Sequence, residues 1–134
     1  MNQRYLNIIK HQIHFMKFFL TLLLFLICFF GFSQTKLLSW NIQNFGKSKS
    51  EETISFIANT LRNYDIIAIQ EVVAGHGGAQ AVARLADELN RKGAKWDYTI
   101  SNPTSSSAYK TERYAFIWKT SKVRKIGKAW LEKK

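Results

Sequence analysis

Two oxygen-bearing side chains stand out because each ends an apolar stretch of strand type. Asn41 lies in Ser39-Trp40-Asn41-Ile42-Gln43-Asn44-Phe45-Gly46 and Glu71 in Ile69-Gln70-Glu71-Val72. An amide oxygen and a carboxylate are hard donors and suit a hard divalent cation such as Mg²⁺. Far apart in sequence, they can act together only if their strands lie side by side. A strand–helix–strand unit does this, because it returns the chain to the same edge of the sheet. Each residue also has a plainer reading. A lone Glu at a strand end is commonly solvated, and an Asn can satisfy turn backbone. Glu112, in a third strand-like segment, reads as an edge charge that blocks aggregation.

The elements that must position these groups are legible in the pattern. Leu37 to Ile42 reads as a strand, with Leu38, Trp40 and Ile42 on one face. Phe45 to Ser50 reads as a loop. Ser50 can cap a helix that opens with Glu51 and Glu52, acids that favour a helix N-terminus. Ile54, Ile57, Ala58 and Leu61 recur at helical spacing, and Asn63-Tyr64-Asp65 ends the helix. Ile66 to Ile69 is apolar on both faces, as a strand buried in a mixed or parallel sheet should be. Gly75-His76-Gly77-Gly78 reads as a flexible loop. It is followed by a helix from Ala79 to Lys92, with Val82, Leu85, Ala86 and Leu89 in one stripe and Gly93 as its C′ residue. Trp96, Tyr98 and Ile100 alternate. Ser101 to Thr111 is polar and holds the only proline, Pro103. Arg113 to Lys119 alternates again, and Lys122 to Ile126 reads as one more strand.

The order β-α-β-α-β-β-β predicts an α/β domain: a mixed sheet with helices on one face. The other face would carry Trp40, Tyr114, Phe116 and Trp118, which need a cover. Their strand period makes them core residues and not a base-stacking platform. A phosphate-binding nest at Gly75, Gly77 and Gly78 lacks the lysine that should follow it at a helix start.

The first thirty-three residues stand outside that domain. Phe18 to Phe32 is an uncharged apolar run of 15 residues, preceded by Lys17 and, further back, Arg4 and Lys10. As a helix it would span only about 22 Å, against a hydrocarbon core of about 30 Å. Gly31 and Ser33 supply a small-x-small cleavage pattern, so residues 1–33 are expected to be a signal peptide, cut before Gln34, with Met16 as a more natural start than Met1. An uncleaved anchor is the alternative. The only cysteine, Cys28, lies within the run. An exported, disulfide-free protein, periplasmic or extracellular and without stable membrane association after cleavage, is the expectation.

The chain has 20 basic and 9 acidic residues; all of the acids and all but three of the bases lie beyond Ser33, which leaves +8 there. That bias favours polyanionic partners such as nucleic acid or anionic headgroups. Its concentration between Lys119 and Lys134 also reads as a solvated edge.

Three segments, in order, resemble the endonuclease/exonuclease/phosphatase superfamily, and within it the deoxyribonuclease I-like branch. They are Ser39 to Gly46, Ile69 to Val72, and Tyr109-Lys110-Thr111-Glu112-Arg113-Tyr114-Ala115-Phe116-Ile117-Trp118. The resemblance runs from Leu37 to about Leu131 and implies a four-layer α-β-β-α sandwich, of which this chain would be the N-terminal half. It implies phosphodiester hydrolysis with Mg²⁺, sometimes assisted by Ca²⁺ in a structural or activating role, and DNA as substrate. Glu71 would be the principal metal ligand, with Asn41 supporting the metal or phosphate. Glu112 would orient a catalytic histidine; Tyr109 and Arg113 would flank it on the substrate side. Gln43 stands where pancreatic-type enzymes carry a DNA-contacting basic residue, and Thr111 is one residue more than their pattern has. The family's catalytic histidines, Asp-x-Asn motif and terminal Asp-His pair lie beyond this strand. The expectation is therefore a secreted nuclease represented by residues 34–134 of its N-terminal part. A phosphatase or sphingomyelinase of the same superfamily, and a non-catalytic polyanion-binding or unfolded fragment, are the alternatives. Oligomeric state is left open.

Overall fold

The computed structural model describes residues 3–29, 34–105 and 111–130. It divides into two compact units, Met1–Gln34 and Thr35–Lys134. The described part of the first holds one helix, α1 (Gln3–Phe29), of 27 residues. No glycine or proline interrupts the segment upstream of the apolar run, so the helix continues through it. At about 1.5 Å per residue it is about 40 Å long. Its Gln3–Leu26 stretch is, by length and composition, long and apolar enough to cross a membrane. The helix thus reaches well upstream of the apolar run.

The second unit contains β1 (Leu37–Phe45), α2 (Glu51–Leu61), β2 (Ile66–Val73), α3 (His76–Arg91), β3 (Trp96–Ile100) and β4 (Glu112–Lys119). The strands form one mixed sheet in the order β1-β2-β4-β3. β1 and β2 are parallel, as their α2 connection requires, and Asn41 pairs with Gln70. β4 runs antiparallel to both β2 and β3.

Both helices share one core with one face of the sheet. Ile54, Ile57, Ala58 and Leu61 of α2 and Val82, Leu85, Ala86 and Leu89 of α3 pack with Ile42, Ile67, Ile69, Ala115 and Ile117. Ser50 caps α2 as expected, its Oγ accepting from Thr53 N at 3.2 Å. Gly93, at φ +97°, follows the end of α3 in the left-handed region that suits glycine. Glu88 of α3 ties the helices together: it accepts from Ser55 Oγ of α2 at 3.1 Å and pairs with Arg91 and Lys92. Asp65 closes one end of β2. Its carboxylate accepts from Lys36 N at 3.0 Å and pairs with Lys119 Nζ at 3.2 Å, so it links β1, β2 and β4.

Three further expectations are corrected. Gly75 to Gly78 is not a loop: Gly75 is the N-cap and His76 opens α3. Gly78 is required there because a Cβ would lie 1.9 Å from Val73 O, so only glycine lets this helix start press against the end of β2. Trp40 does not share a face with Phe116 and Trp118. It pairs with Ile69 and packs against the helix-side core. Lys122 to Ile126 forms no strand. Lys122 N and Val123 N both donate to Lys119 O, and the resulting turn sends the chain back across the helix-free face. There Val123, Ile126, Ala129 and Trp130 line a cleft of about 310 Å³ with Ile66, Phe116 and Trp118. Covering apolar surface outweighs adding a ladder. The cover is partial: Trp118 is 6% exposed, but Phe116 is 45% and Trp130 82%.

Gly78→Ala should invert the usual helix rule. In a helix interior Ala is favoured over Gly by about 1 kcal/mol, yet here the methyl meets backbone, and overpacking costs about 1–3 kcal/mol or more. Gly75→Ala, with nothing within 4 Å of its Cβ, should change the melting temperature little. Thermal denaturation of the two variants checks this.

The acid limb of stability is set by depressed carboxylates. Lys92, Arg91 and Ser55 hold Glu88 down to about 2, and the Lys36 amide, then Lys119, lowers Asp65. The folded state thus binds fewer protons than the unfolded chain. This stabilisation is complete above the ordinary carboxylate range and is lost as pH falls from about 4.5 towards 2. Glu88→Gln should flatten that part of a melting-temperature-against-pH curve.

Candidate functional site

Asn41 and Glu71 do not lie where strands end, as their sequence context suggests. They lie inside longer strands, at breaks in the pairing. Between Asn41↔Gln70 and Phe45↔Val72, β1 uses two more residues than β2. Between Ile69↔Ala115 and Val72↔Arg113, β2 uses one more than β4. Such bulges change which side chains share a face. In β2, Ile69 and Val72 both enter the core although strict alternation would place them on opposite faces. The irregularity falls on Gln70 and Glu71, neither of which is in that core.

Glu71 takes φ +56° and Asn44 φ +50°. For Glu the left-handed region is unusual and costs of order 1–3 kcal/mol. What holds it is visible on both sides. Asn41 Nδ2 donates to Glu71 Oε1 at 2.8 Å. Beyond it, Gly78 backs Val73 O, and Arg113 Nε donates to Ala74 O at 2.8 Å. One pairing step inward, Gln70 Nε2 donates to Ser39 Oγ at 3.0 Å, locking β1 to β2 on the same face. The Asn41–Glu71 bond commits one carboxylate oxygen and the Asn nitrogen. It leaves Glu71 Oε2 and Asn41 Oδ1 with no bond among those described.

Glu112, at the start of β4, pairs with Val73 and so lies next to the Glu71 bulge along the sheet. Tyr114 donates its hydroxyl to Glu112 Oε1 at 3.0 Å. That carboxylate, aided by burial, raises the Tyr114 phenol above its ordinary value. Glu112 is also pinned through its backbone: its N–H donates to Thr104 Oγ1 and its C=O accepts from Thr104 N. Among the described residues, no histidine bonds it; His76 is exposed at the start of α3.

Arg113, expected on the substrate side, holds two backbone carbonyls, Ala74 O and Ser101 O. Gln43 is exposed in β1 beside the bulge. Tyr109 lies outside the described residues. The structure thus joins Asn41 to Glu71 directly and brings Glu112 to the neighbouring strand. The roles of Tyr114, Ser39 and Gln70 in holding the site have no signal in the sequence. Their partners lie across strands or two residues away, and only the register reveals them.

The donor set can be tested against a metal. Among the described residues no three His, Cys, Asp or Glu side chains cluster to hold an ion. Mg²⁺ does not need such a cage, since it keeps several waters and takes one or two carboxylates, with phosphate oxygens completing the shell. One carboxylate with an adjacent amide oxygen fits that chemistry and suits neither Zn²⁺ nor a thiophilic ion.

Residues 38–132 match the Endonuclease/Exonuclease/phosphatase family. Among curated proteins, deoxyribonuclease-1 of Bos taurus is 40% identical over 91 residues, which are 66% of this chain and 31% of that protein. Deoxyribonuclease-1 of Homo sapiens is 35% identical over 96 residues, 69% of this chain and 33% of that protein. The chain thus spans about a third of the length of these relatives. A solved structure, an endonuclease/exonuclease/phosphatase family protein from Leptotrichia buccalis C-1013-b, matches with a TM-score of 0.48 and 22% identity over 63% of this chain and 38% of that one. With the family match covering most of the chain, and every candidate site residue inside it, this chain belongs to the endonuclease/exonuclease/phosphatase family.

Proposed function

We propose that this chain forms the cation-binding edge of a Mg²⁺-dependent phosphodiesterase that cleaves DNA. The observation that carries the reading is the Asn41–Glu71 pair, bonded at 2.8 Å where the β1–β2 pairing is bulged. Glu71 Oε2 and Asn41 Oδ1 would hold the ion. A bound Mg²⁺ supplies charge neutralisation at the phosphate and acidifies water. The chain's own contribution is to orient: Asn41 fixes one oxygen of Glu71, and Tyr114 fixes one oxygen of Glu112. Glu112 then has its other oxygen to hold an imidazole in one tautomer. Tyr109 and Gln43 are the proposed contacts with the nucleic acid. A role for Ca²⁺ is a further expectation of the family.

DNA is favoured over a small phosphoester by two facts. The relatives at 35–40% identity are deoxyribonucleases, and the segment after Gln34 has a strong basic excess. Hydrolysis is assigned to the whole-length enzyme, with residues 34–134 as the N-terminal part of its sandwich. A polyanion-binding role without catalysis is the second reading, supported by the same charge and by the small donor set.

We also infer that residues 1–33 are a signal peptide and that the remainder is exported, periplasmic or extracellular. The support is the cleavage pattern at Gly31 and Ser33 and the boundary between compact units at Gln34.

In the full-length protein, Mg²⁺-dependent nicking of supercoiled plasmid should be abolished by EDTA and fall at least about a hundredfold in Glu71→Ala. Undiminished turnover would overturn the metal assignment; DNA binding with no Mg²⁺-dependent cleavage would favour the second reading. Intact-mass measurement of the exported product should find Gln34 as the first residue, and a retained α1 would show an anchor instead.

A further inference from the structure

The family resemblance puts Arg113 on the substrate side, but its geometry assigns it another task. Nε donates to Ala74 O at 2.8 Å and Nη1 to Ser101 O at 3.0 Å. Ala74 is the residue after β2, three beyond Glu71; Ser101 is the residue after β3. Arg113 itself pairs with Val72, next to Glu71. Its side chain therefore spans three segments at the level of the bulge. Ser101 is fixed from β4 as well: Ser101 N donates to Tyr114 O, and Tyr114 N donates to Ser101 Oγ.

A strained φ persists only where its surroundings over-determine it. On the near side of Glu71 the restraint is Asn41; on the far side it is the Ala74 carbonyl, held by Arg113. Two diverging carbonyls need two donors in fixed relative orientation, which the planar guanidinium has and a lysine ammonium lacks. With Nε and Nη1 each bonded to backbone, both two-donor edges of the guanidinium have one donor committed, so neither is free to grip a phosphate as a fork.

We propose that Arg113 is a positioning residue: by clamping Ala74 O and Ser101 O it holds the β2 bulge in the conformation that presents Glu71 to a divalent cation. This rests on the reading of Glu71 as the cation's carboxylate.

The test uses the full-length protein and Mn²⁺ as the probe, read by electron paramagnetic resonance as bound against free ion, with no need for turnover. Arg113→Lys, which keeps the charge but not the fork, should weaken Mn²⁺ about tenfold, as loss of an orienting partner typically does. In Arg113→Gln, which removes the charge, the salt dependence of DNA binding should be unchanged, whereas a lost phosphate contact would lower its slope by about one. Glu71→Gln serves as the reference. If Glu71→Gln weakens Mn²⁺ and Arg113→Lys does not, the positioning role is overturned and the cation reading stands. If neither variant weakens it, both are overturned. A salt slope reduced by one with Mn²⁺ affinity intact returns Arg113 to the substrate side. Should Arg113→Lys fail to fold, the unaltered protein still decides: the Arg113 Nε–H should exchange slowly with solvent by NMR, and fast exchange would refute the clamp.

Discussion

The site depends on a conflict between alternation and burial in β2. A regular strand would send Ile69 and Val72 to opposite faces, since side chains alternate. Both are buried in the helix-side core. The extra residue at Gln70–Glu71 reconciles the two by breaking the register against β4. The core gains Val72, and Glu71 takes a left-handed backbone that it would not otherwise adopt. β1 meets the same problem between Ile42 and Phe45 and solves it in the same way, with Asn44 at positive φ. The carboxylate and amide are thus delivered to one place by what the core demands of the residues beyond them.

Most neighbouring features serve that arrangement. Gly78 lets α3 begin directly behind Val73, so the helix start and the bulge form one packed unit. Arg113 and Asn41 hold the backbone beyond the bulge and the side chain within it. Tyr114 holds Glu112, while the Thr104 bonds set the start of β4. The donors used are mostly backbone amides and side-chain tips that cross between strands.

Those cross-strand links also explain what the sequence reveals. The Ser50 cap, the apolar stripes of both helices and the buried run at Ile66 to Ile69 are local signals, and the structure has each of them. Asn41 and Glu71 stand out because polar residues interrupt apolar strands there, and they are in contact. Their bulges are not legible, because the strands simply continue through Phe45 and Val73. The glycines at the start of α3 read as a loop because propensity counts against helix; the close approach to Val73 O that requires Gly78 is a tertiary fact. Lys122 to Ile126 alternates well enough for a strand. Its fate is decided by the uncovered Phe116 and Trp118, which no local pattern records. The face of Trp40 cannot be read from the alternation of β1 alone, which does not say which neighbours it aligns with; the pairing with Ile69 fixes the side.

The two ends of β2 differ in kind. At the Asp65 end the bonds close on themselves. Asp65 N donates to Lys36 O, its carboxylate accepts from Lys36 N, and its own C=O accepts from Lys119 N. Lys119 adds an ion pair and lies 5.3 Å above the Trp96 ring. At the Glu71 end two bulges interrupt the ladders. Opening of a sheet follows its weakest hydrogen bonds, and at the Glu71 end the interrupted ladder bonds are replaced by the side-chain bonds of Asn41 and Arg113. The strand is in effect a zipper with a fixed bottom stop and a latch at the top, and the latch is what keeps the end that bears the carboxylate from opening first.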